Sequence, residues 1–457
     1  LKKLNFLVIA YYFPPIQSIG VVRTWNLTQE LAKKTDLVGT IDVLTTRNAD
    51  IFPQESRGDA PPSMRIQKMP TFDYRTALSW KSWIFSSNQT KFHANESEKE
   101  SFLARFFVRF VRTFPFNLLI GEGGFLFIIS AFFKSLKLIK QNNIRIIYSS
   151  YPTYSDHFVA FLLKKYFKSK IIWVADFRDP HLDPLYRMYY FERVQIWCNR
   201  KIISRADIVT TVSDGIAEQL KPFKSSIYTI KSGISNLKFN NLPENAYPPV
   251  SDEKKHFFIT YTGSMFGNER NPSLLLQAVK TLLEERKILS DEIKIVYAGK
   301  DENIWKKYLT EYNLENIFIN HGMLSSDEAK QIQDKSHLNL LLSSVTPEIK
   351  GILTGKFYEY LATRKPIIVL LNAVGHARDP EFENIIADTG GGLVAYSDSE
   401  KSVIELKEFI LHYHQIWKQT GDVPKIIPIE KLHQFTWEHQ TNLFLNLIEN
   451  HSKDIKN

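Results

Sequence analysis

Cysteine is nearly absent: Cys198 is the only one in 457 residues. Neither an internal disulfide nor a cysteine-based zinc cluster can form, and a reducing compartment such as the cytoplasm fits. Cys198 itself reads as a small buried or half-buried apolar residue rather than a nucleophile. Long hydrophobic runs are also missing. The N-terminal stretch LKKLNFLVIAYYFPP carries a short apolar run stopped by Pro14-Pro15, without a small-residue cleavage site, and does not read as a signal peptide. Matches to Asn-x-Ser/Thr such as Asn26-Leu27-Thr28 therefore say nothing about glycosylation. GGFLFIISAFF is about ten residues long, short of the roughly 20 a membrane span needs. It reads as a buried helix ahead of the strand RIIYSS.

Several motifs are absent as well. A dinucleotide fold would show G-x-G-x-x-G after its first strand, but YYFPPIQSIG offers one glycine, which excludes the usual NAD or FAD loop. GILTGKF resembles a P-loop until its spacing is checked. Three residues separate its glycines where four are needed, and a phenylalanine stands where magnesium requires Ser or Thr. No His-x-x-x-His pair and no G-x-S-x-G elbow is present, so metalloprotease and serine-hydrolase readings fall away.

What is present is a soluble globular composition with a net charge of +9. That excess points to an anionic partner: nucleic acid, a membrane surface or a phosphorylated substrate. It is spread along the chain instead of gathered in a tail, which weakens the nucleic-acid reading. The length implies two or three domains. LNFLVIAYYF reads as a buried parallel strand, followed by the loop PPIQSIG, a helix through VVRTWNLTQELAKK and the strand TIDVLTT. RIIYSS, a helix through DHFVAFLLKKYF, KIIWVADFRDP, ADIVTTVSDGIAEQL and IYTIKSGI continue that alternation. Around 240–256 the composition turns Pro-, Asn- and charge-rich (NNLPENAYPPVSDEKKH), as expected of an interdomain linker. The alternation then restarts at HFFITYTGS and runs to KPIIVLL. The expected fold class is α/β, with two Rossmann-like domains facing across a cleft and chemistry at the carboxyl ends of their strands.

Residues 80–142 break this rhythm. In SFLARFFVRFVRTFPF the apolar residues Phe102, Leu103, Phe106, Phe107, Phe110, Val111 and Phe114 recur at helical spacing, flanked by Arg105, Arg109 and Arg112. Such a helix is either an interfacial membrane anchor or a stripe packed on the N-domain core.

Six segments sit at predicted strand ends or helix starts: YYFPPIQSIGVVRTWNLTQELAKK, VADFRDP, ADIVTTVSDGIAEQL, ITYTGSMFGNERNPSLLLQAV, GKFYEYLATRKPIIV and FTWEHQTNLFLNLIE. Together, in this order, they resemble glycosyltransferase family 4, nucleotide-sugar-dependent enzymes with the two-domain GT-B fold. The chain is similar to the bacterial surface-polysaccharide members that carry a D-F-R-D-P sequence. The resemblance implies an N-terminal acceptor domain at 1–245, a nucleotide-sugar domain at 255–430, and a helix in 431–457 that returns to the first.

The chemistry of such a transfer indicates what the residues must do. Negative charge develops on the leaving nucleoside diphosphate, and without a metal it must be met by cations and backbone N–H groups. The resemblance assigns Arg270 in TGSMFGNER to the diphosphate, with Gly263 letting the backbone approach; the plain alternative is an exposed loop arginine. N–H groups around Thr354 and Gly355 would face phosphate at a helix N-terminus. Lys356 and Glu359 share one helical face. Glu359 is implied to hold the ribose hydroxyls; alternatively it pairs with Lys356 on the surface. The family's second glutamate would fall at 351, where this chain has Gly351, with Glu348 out of register.

In the N-terminal half, Gly20 resembles the family's flexible glycine near the donor phosphates, and Arg23 would touch a phosphate or pair with an acid. Asp176, Arg178 and Asp179 are expected either over the acceptor, orienting or deprotonating its hydroxyl, or in an internal ion pair. His157 reads as a surface histidine at a helix start. The expected catalytic set is thus Asp176, Arg178, Asp179 and Arg270. The donor set is Gly20, Gly263, Arg270, Thr354, Gly355, Lys356 and Glu359, with no metal or other cofactor. The implied reaction is retaining transfer of a sugar from a nucleotide-diphospho-sugar to a lipid-linked or polysaccharide acceptor. The implied location is the cytoplasm, peripheral on the inner face of the cell membrane, with no nucleic-acid partner. An epimerase or hydrolase on the same fold, or a non-catalytic scaffold in a biosynthetic complex, are the alternatives.

Overall fold

The computed structural model describes residues 3–75, 102–151, 153–179, 190–224, 226–234, 255–265 and 269–454. Most of the expected linker, and the residues before 102 in the irregular segment, lie outside them. The chain divides into two units, Leu1–Lys231 with Gln440–Asn457, and Ser232–His439.

Unit 1 runs β1 (Leu4–Ile9), α1 (Ile19–Lys33), β2 (Val38–Thr46), β3 (Met64–Met69), α2 (Phe102–Arg112), α3 (Phe116–Leu119), α4 (Gly124–Gln141), β4 (Ile146–Tyr151), α5 (Tyr154–Phe167), β5 (Ile172–Phe177), α6 (Glu192–Arg205), β6 (Ile208–Thr211), α7 (Asp214–Leu220) and β7 (Tyr228–Thr229). Its seven strands form a parallel sheet ordered β3-β2-β1-β4-β5-β6-β7. Unit 2 runs β8 (Phe257–Thr262), α8 (Ser273–Glu284), β9 (Ile293–Ala298), α9 (Glu302–Tyr312), β10 (Phe318–Asn320), α10 (Ser326–Lys335), β11 (Leu338–Val345), α11 (Gly355–Thr363), β12 (Ile367–Ala373), α12 (Pro380–Thr389), β13 (Gly392–Tyr396), α13 (Glu400–Thr420) and α14 (Ile429–Leu432). Its six strands are also parallel, ordered β10-β9-β8-β11-β12-β13. The last helix, α15 (Trp437–Asp454), begins in unit 2, and its remainder belongs to unit 1, where Phe444 stacks edge-on against Tyr148 at 5.8 Å.

The physical cause of both sheets is plain in the strands. FFITYT and IWVADF are buried at every position, because helices cover both faces of a parallel sheet and leave no solvent side for alternation. Unit 1 packs β1, β4 and β5 against α4 and α5 through Leu7, Ile147, Trp173, Phe127 and Val159. In unit 2, Ile259, Ile295, Leu340 and Ile368 pack with Leu275, Trp305 and Ile410 on one face of the sheet. On the other, Leu341, Val369 and Leu371 meet Phe357, Tyr360 and Phe382.

In each unit the sheet grows outward from its first strand in one direction and then switches to the other side. The order in which strands are added therefore reverses between β1 and β4 in unit 1, and between β8 and β11 in unit 2, while all strands stay parallel. Crevices outside the carboxyl ends of strands at such switch points are where doubly wound sheets bind ligands. The loops after β1, β8 and β11 are thus the places to examine.

Two sequence expectations need correction. GGFLFIISAFF is not a buried helix: α4 is two-sided. Phe127, Ile128 and Ala131 face the core, while Phe125, Ile129 and Phe133 are exposed. His157 is not on the surface, because the whole first turn of α5, Tyr154 through His157, lies against the sheet. Its Nδ1 bonds the Ser149 hydroxyl at 2.7 Å, and its ring lies 4.8 Å from Phe177. Burial drives its pKa down to about 3. Cys198 is buried on α6, and that burial raises its thiol pKa to about 11, so it stays a thiol.

Candidate active site

Six of the seven residues expected for the donor lie in unit 2, on the loops and helices around its switch point, while Gly20 belongs to unit 1. β8 delivers Thr262 and Gly263. Gly263 has φ +147, a backbone geometry that side chains resist, and its N–H donates to the Ala298 carbonyl at 2.9 Å. The next turn is pinned from β9's far end, where the Asp301 carboxylate accepts the Met265 N–H at 2.7 Å. Arg270 folds back over this turn. Its Nη1 donates to the Ser264 carbonyl at 2.8 Å and to the Tyr261 hydroxyl at 3.4 Å. A cation is therefore fixed at the rim of the β8 loop, half-exposed.

Helix α11 supplies the opposite wall of this site. Thr354 is its N-cap residue, with extended backbone and no side-chain cap bond. The Thr354 hydroxyl is buried with no hydrogen-bond partner among the described residues. Helix starts of this kind leave backbone N–H groups unsatisfied and favour anions. One turn on, Glu359 accepts a 2.8 Å bond from Lys356 and a 3.0 Å bond from the Gln333 amide, both at Oε2. Gln333 also donates to the Thr262 hydroxyl at 2.8 Å. Tyr360 completes the set by accepting the Thr262 N–H at 3.0 Å. The ribose-candidate carboxylate and the glycine loop are thus joined by one chain of hydrogen bonds, buried at Thr262 and half-buried at Glu359.

This arrangement goes further than either sequence alternative for Glu359. The Lys356 pair exists, and as a half-exposed i,i+3 contact it stabilises the fold little. Gln333 is what orients the carboxylate, and both of these bonds fall on Oε2. Gln333 was not legible as a site residue. In SDEAKQIQDK only Ala329 and Gln333 face inward, and that i,i+4 spacing is the one signal it gave.

Gly351 explains the missing glutamate. Its φ is +69, and its N–H donates to the Asp379 carboxylate at 2.7 Å. Asp379 also caps α12 through Glu381 and Phe382 N–H groups, and its pKa is raised, burial being the main cause. The strand-to-helix loop is therefore built around a left-handed residue. Gly351→Glu, which would place a glutamate where glycosyltransferase family 4 carries one, should cost about 1–2 kcal/mol of stability through backbone strain. Thermal unfolding checks this, and an unchanged midpoint would refute it.

Unit 1 gathers the remaining candidates at the ends of β4, β5 and β6. Asp176 is wholly buried. Arg23 clamps it with two bonds, Nε to Oδ2 at 2.9 Å and Nη2 to Oδ1 at 2.8 Å. Tyr148, Ser150 and Thr210 donate at 2.8, 3.2 and 2.7 Å. Strand register makes this possible, since Ser150 and Thr210 stand directly beside Asp176 on the two neighbouring strands. Burial works to raise this carboxyl's pKa, but the Arg23 charge and these hydrogen bonds prevail and hold it below the ordinary range.

With five donors on two oxygens, Asp176 has no lone pair left to take a proton from an acceptor hydroxyl. It holds the strand ends and α1 in place, and so corrects the expectation of a base. Arg23, for which either a phosphate or an acid was expected, pairs with the acid. Arg178 is held by two backbone carbonyls: Nε donates to the Tyr151 carbonyl at 2.8 Å and Nη1 to the Gly20 carbonyl. A Cβ on Gly20 would lie 3.0 Å from that guanidinium, so the glycine is what lets the loop and Arg178 meet. Asp179 is exposed just beyond β5.

A pair of doubly wound parallel units, one carrying this loop-and-carboxylate site, is the GT-B architecture. No family model and no curated protein sequence matches the chain. Among solved structures it is similar to sucrose-phosphate synthase from Thermosynechococcus elongatus, with TM-score 0.60, 12% identity, and 98% of this chain and 99% of that one covered. It is likewise similar to α,α-trehalose 6-phosphate synthase from Burkholderia multivorans, with TM-score 0.58, 10% identity, and 99% and 98% covered. A third likeness is to the lipopolysaccharide outer core galactosyltransferase WaaB in its apo form, with TM-score 0.53, 13% identity, and 98% and 99% covered. At these identities the likeness is one of fold.

Proposed function

We propose that the chain is a glycosyltransferase that moves a sugar from a nucleotide-diphospho-sugar to a hydroxyl of a lipid-linked or polysaccharide acceptor. The observation that carries this reading is the unit 2 site, where a fixed arginine follows the end of β8 and an oriented carboxylate, one turn into a helix, is tied to that same strand end through Gln333 and Thr262. Arg270, Lys356 and the N–H groups at Thr354–Lys356 are suited to the charge that develops on a leaving diphosphate, in the role a metal fills elsewhere. Glu359 is suited to accept both hydroxyls of a ribose. The named activities of the three similar structures, two synthases that make sugar phosphates and a galactosyltransferase, support this choice of chemistry. Membership of the D-F-R-D-P subgroup, retention of configuration and work at the inner face of a cell membrane belong to the same proposal and rest on the sequence resemblance.

Unit 1 serves the acceptor in this reading, with Arg178 and Asp179 at its strand end and the Arg23–Asp176 pair as their support. The test is release of nucleoside diphosphate from a sugar donor, with and without a membrane lipid extract as acceptor source. Release that requires the extract supports transfer. Release without it means hydrolysis, and interconversion of donor sugars with no release means epimerisation; either overturns the proposal.

A further inference from the structure

Among the described residues no helix is long and apolar enough to cross a membrane. Unit 1 nevertheless exposes large apolar side chains in one neighbourhood. On α4, Phe125, Ile129 and Phe133 recur every fourth residue, and Phe133 is 64% exposed. Lys137 continues the same stripe and Lys140 lies one turn beyond, both exposed. Helix α3 packs next to α4, and α2 next to α3; they add Leu119, Phe106 and Phe107, all exposed. Phe106 lies 5.3 Å from the Tyr190 ring, and the Arg109 guanidinium sits 4.5 Å over that ring. Tyr190 and the exposed Phe191 lead directly into α6, whose outward face shows Val194 and Trp197, with Lys201 5.8 Å over the Trp197 ring.

Monomeric soluble proteins rarely leave so many adjacent large apolar side chains in water. The charge around them is mainly positive: on α6 the exposed Glu192 stands against Arg193, Arg200 and Lys201, all exposed. Residues 102–141 contain six Lys and Arg against the single acid Glu122, and Glu122 is paired with Arg75 at 2.6 Å. Helix α4 contains no acidic residue at all.

We propose that this face of unit 1, centred on Phe125, Ile129 and Phe133 and extended by Phe106 and Trp197, docks on an anionic lipid bilayer. Aromatic rings entering the headgroup boundary, ringed by Lys and Arg, are the arrangement that binds in the interface plane without crossing it. Each basic side chain near an anionic surface adds to the attraction. A second copy of the chain is the poorer occupant, because two such faces would bring like charges together in a self-complementary contact. The inference gives the lipid-linked acceptor above its physical setting, but it concerns a different surface and does not depend on the transfer chemistry.

The test is co-sedimentation of the full chain with vesicles of phosphatidylcholine alone or with about one-third phosphatidylglycerol. No nucleotide sugar is present, so the result is independent of the diphosphate-release assay. Binding to the anionic vesicles is expected, weakening as salt is raised. Phe133→Glu and Trp197→Glu should each reduce it by about tenfold or more, since burial of an aromatic side chain is exchanged for a charge. Both positions are exposed, so an unchanged melting midpoint identifies the loss as one of docking. Absence of binding to anionic vesicles, equal binding to both vesicle types, or full binding by the double variant would overturn the proposal. So would a dimer in light scattering that these substitutions dissolve, which would make the face a contact between copies.

Discussion

Asp176→Ala is expected to lower the stability of the protein by about 3–5 kcal/mol, the cost of leaving the Arg23 guanidinium buried without its counter-ion. In a unit of this size that is a fall in the unfolding midpoint on the order of 10 °C. The loss should exceed that of Ser150→Ala or Thr210→Ala, each of which removes one neutral donor at about 1 kcal/mol. The pH dependence has a definite sign. The folded pKa of Asp176 lies below its unfolded value, so the unfolded chain binds more protons over the interval between them. The stabilisation is complete above about pH 4, near the unfolded carboxyl value, and disappears as pH falls through the lower folded value. Asp176→Ala should therefore flatten the acid limb of the stability curve. If Asp176 were instead a base acting on an acceptor, Asp176→Asn would leave stability unchanged and abolish turnover.

Arg270→Ala should reduce turnover by about 10²–10³-fold, the usual effect of removing one preorganised group that meets charge in the transition state. Its guanidinium is already held by Ser264 and Tyr261, so it needs no reorganisation when charge develops. Glu359→Ala should act differently. A carboxylate that binds ribose is engaged in ground and transition states alike, so its removal raises KM with a smaller change in kcat. Hydrogen bonds to a charged group are worth about 1.5–3 kcal/mol, which corresponds to a rise of about 10- to 100-fold. Gln333→Ala should show a weaker form of the same KM effect, because Gln333 positions Glu359. Steady-state kinetics on the three variants separates these roles.

Much of this architecture was legible in the residues. The strands announced themselves as unbroken apolar runs, because parallel sheets are covered on both faces. The glycine loop at 263 and the start of α11 are local features that sequence shows, whereas Arg270 was singled out there by the resemblance to glycosyltransferase family 4. Asp176 was visible as an acid closing a buried strand, but its partner Arg23 lies 153 residues away, and sequence does not reveal which distant side chain a sheet will bring to it. Likewise, nothing in a run such as FLFIISAFF marks an outward face. Every position is apolar or small, so the helical period carries no contrast until packing selects Phe127 and Ala131 for the core. Gly351 was visible as a departure from the family's glutamate, whereas its left-handed backbone and its bond to Asp379 appear only in the fold.

The central claim, that unit 2 binds a nucleoside diphosphate through Arg270, the start of α11 and Glu359, is tested most directly by thermal shift against UDP, GDP, ADP and CMP. One diphosphate should stabilise the protein, by about 2.7 kcal/mol at a hundredfold excess over its Kd. That shift should vanish in Arg270→Ala and shrink in Glu359→Ala. A flat response to every nucleotide, or a shift that both variants retain in full, would contradict the account.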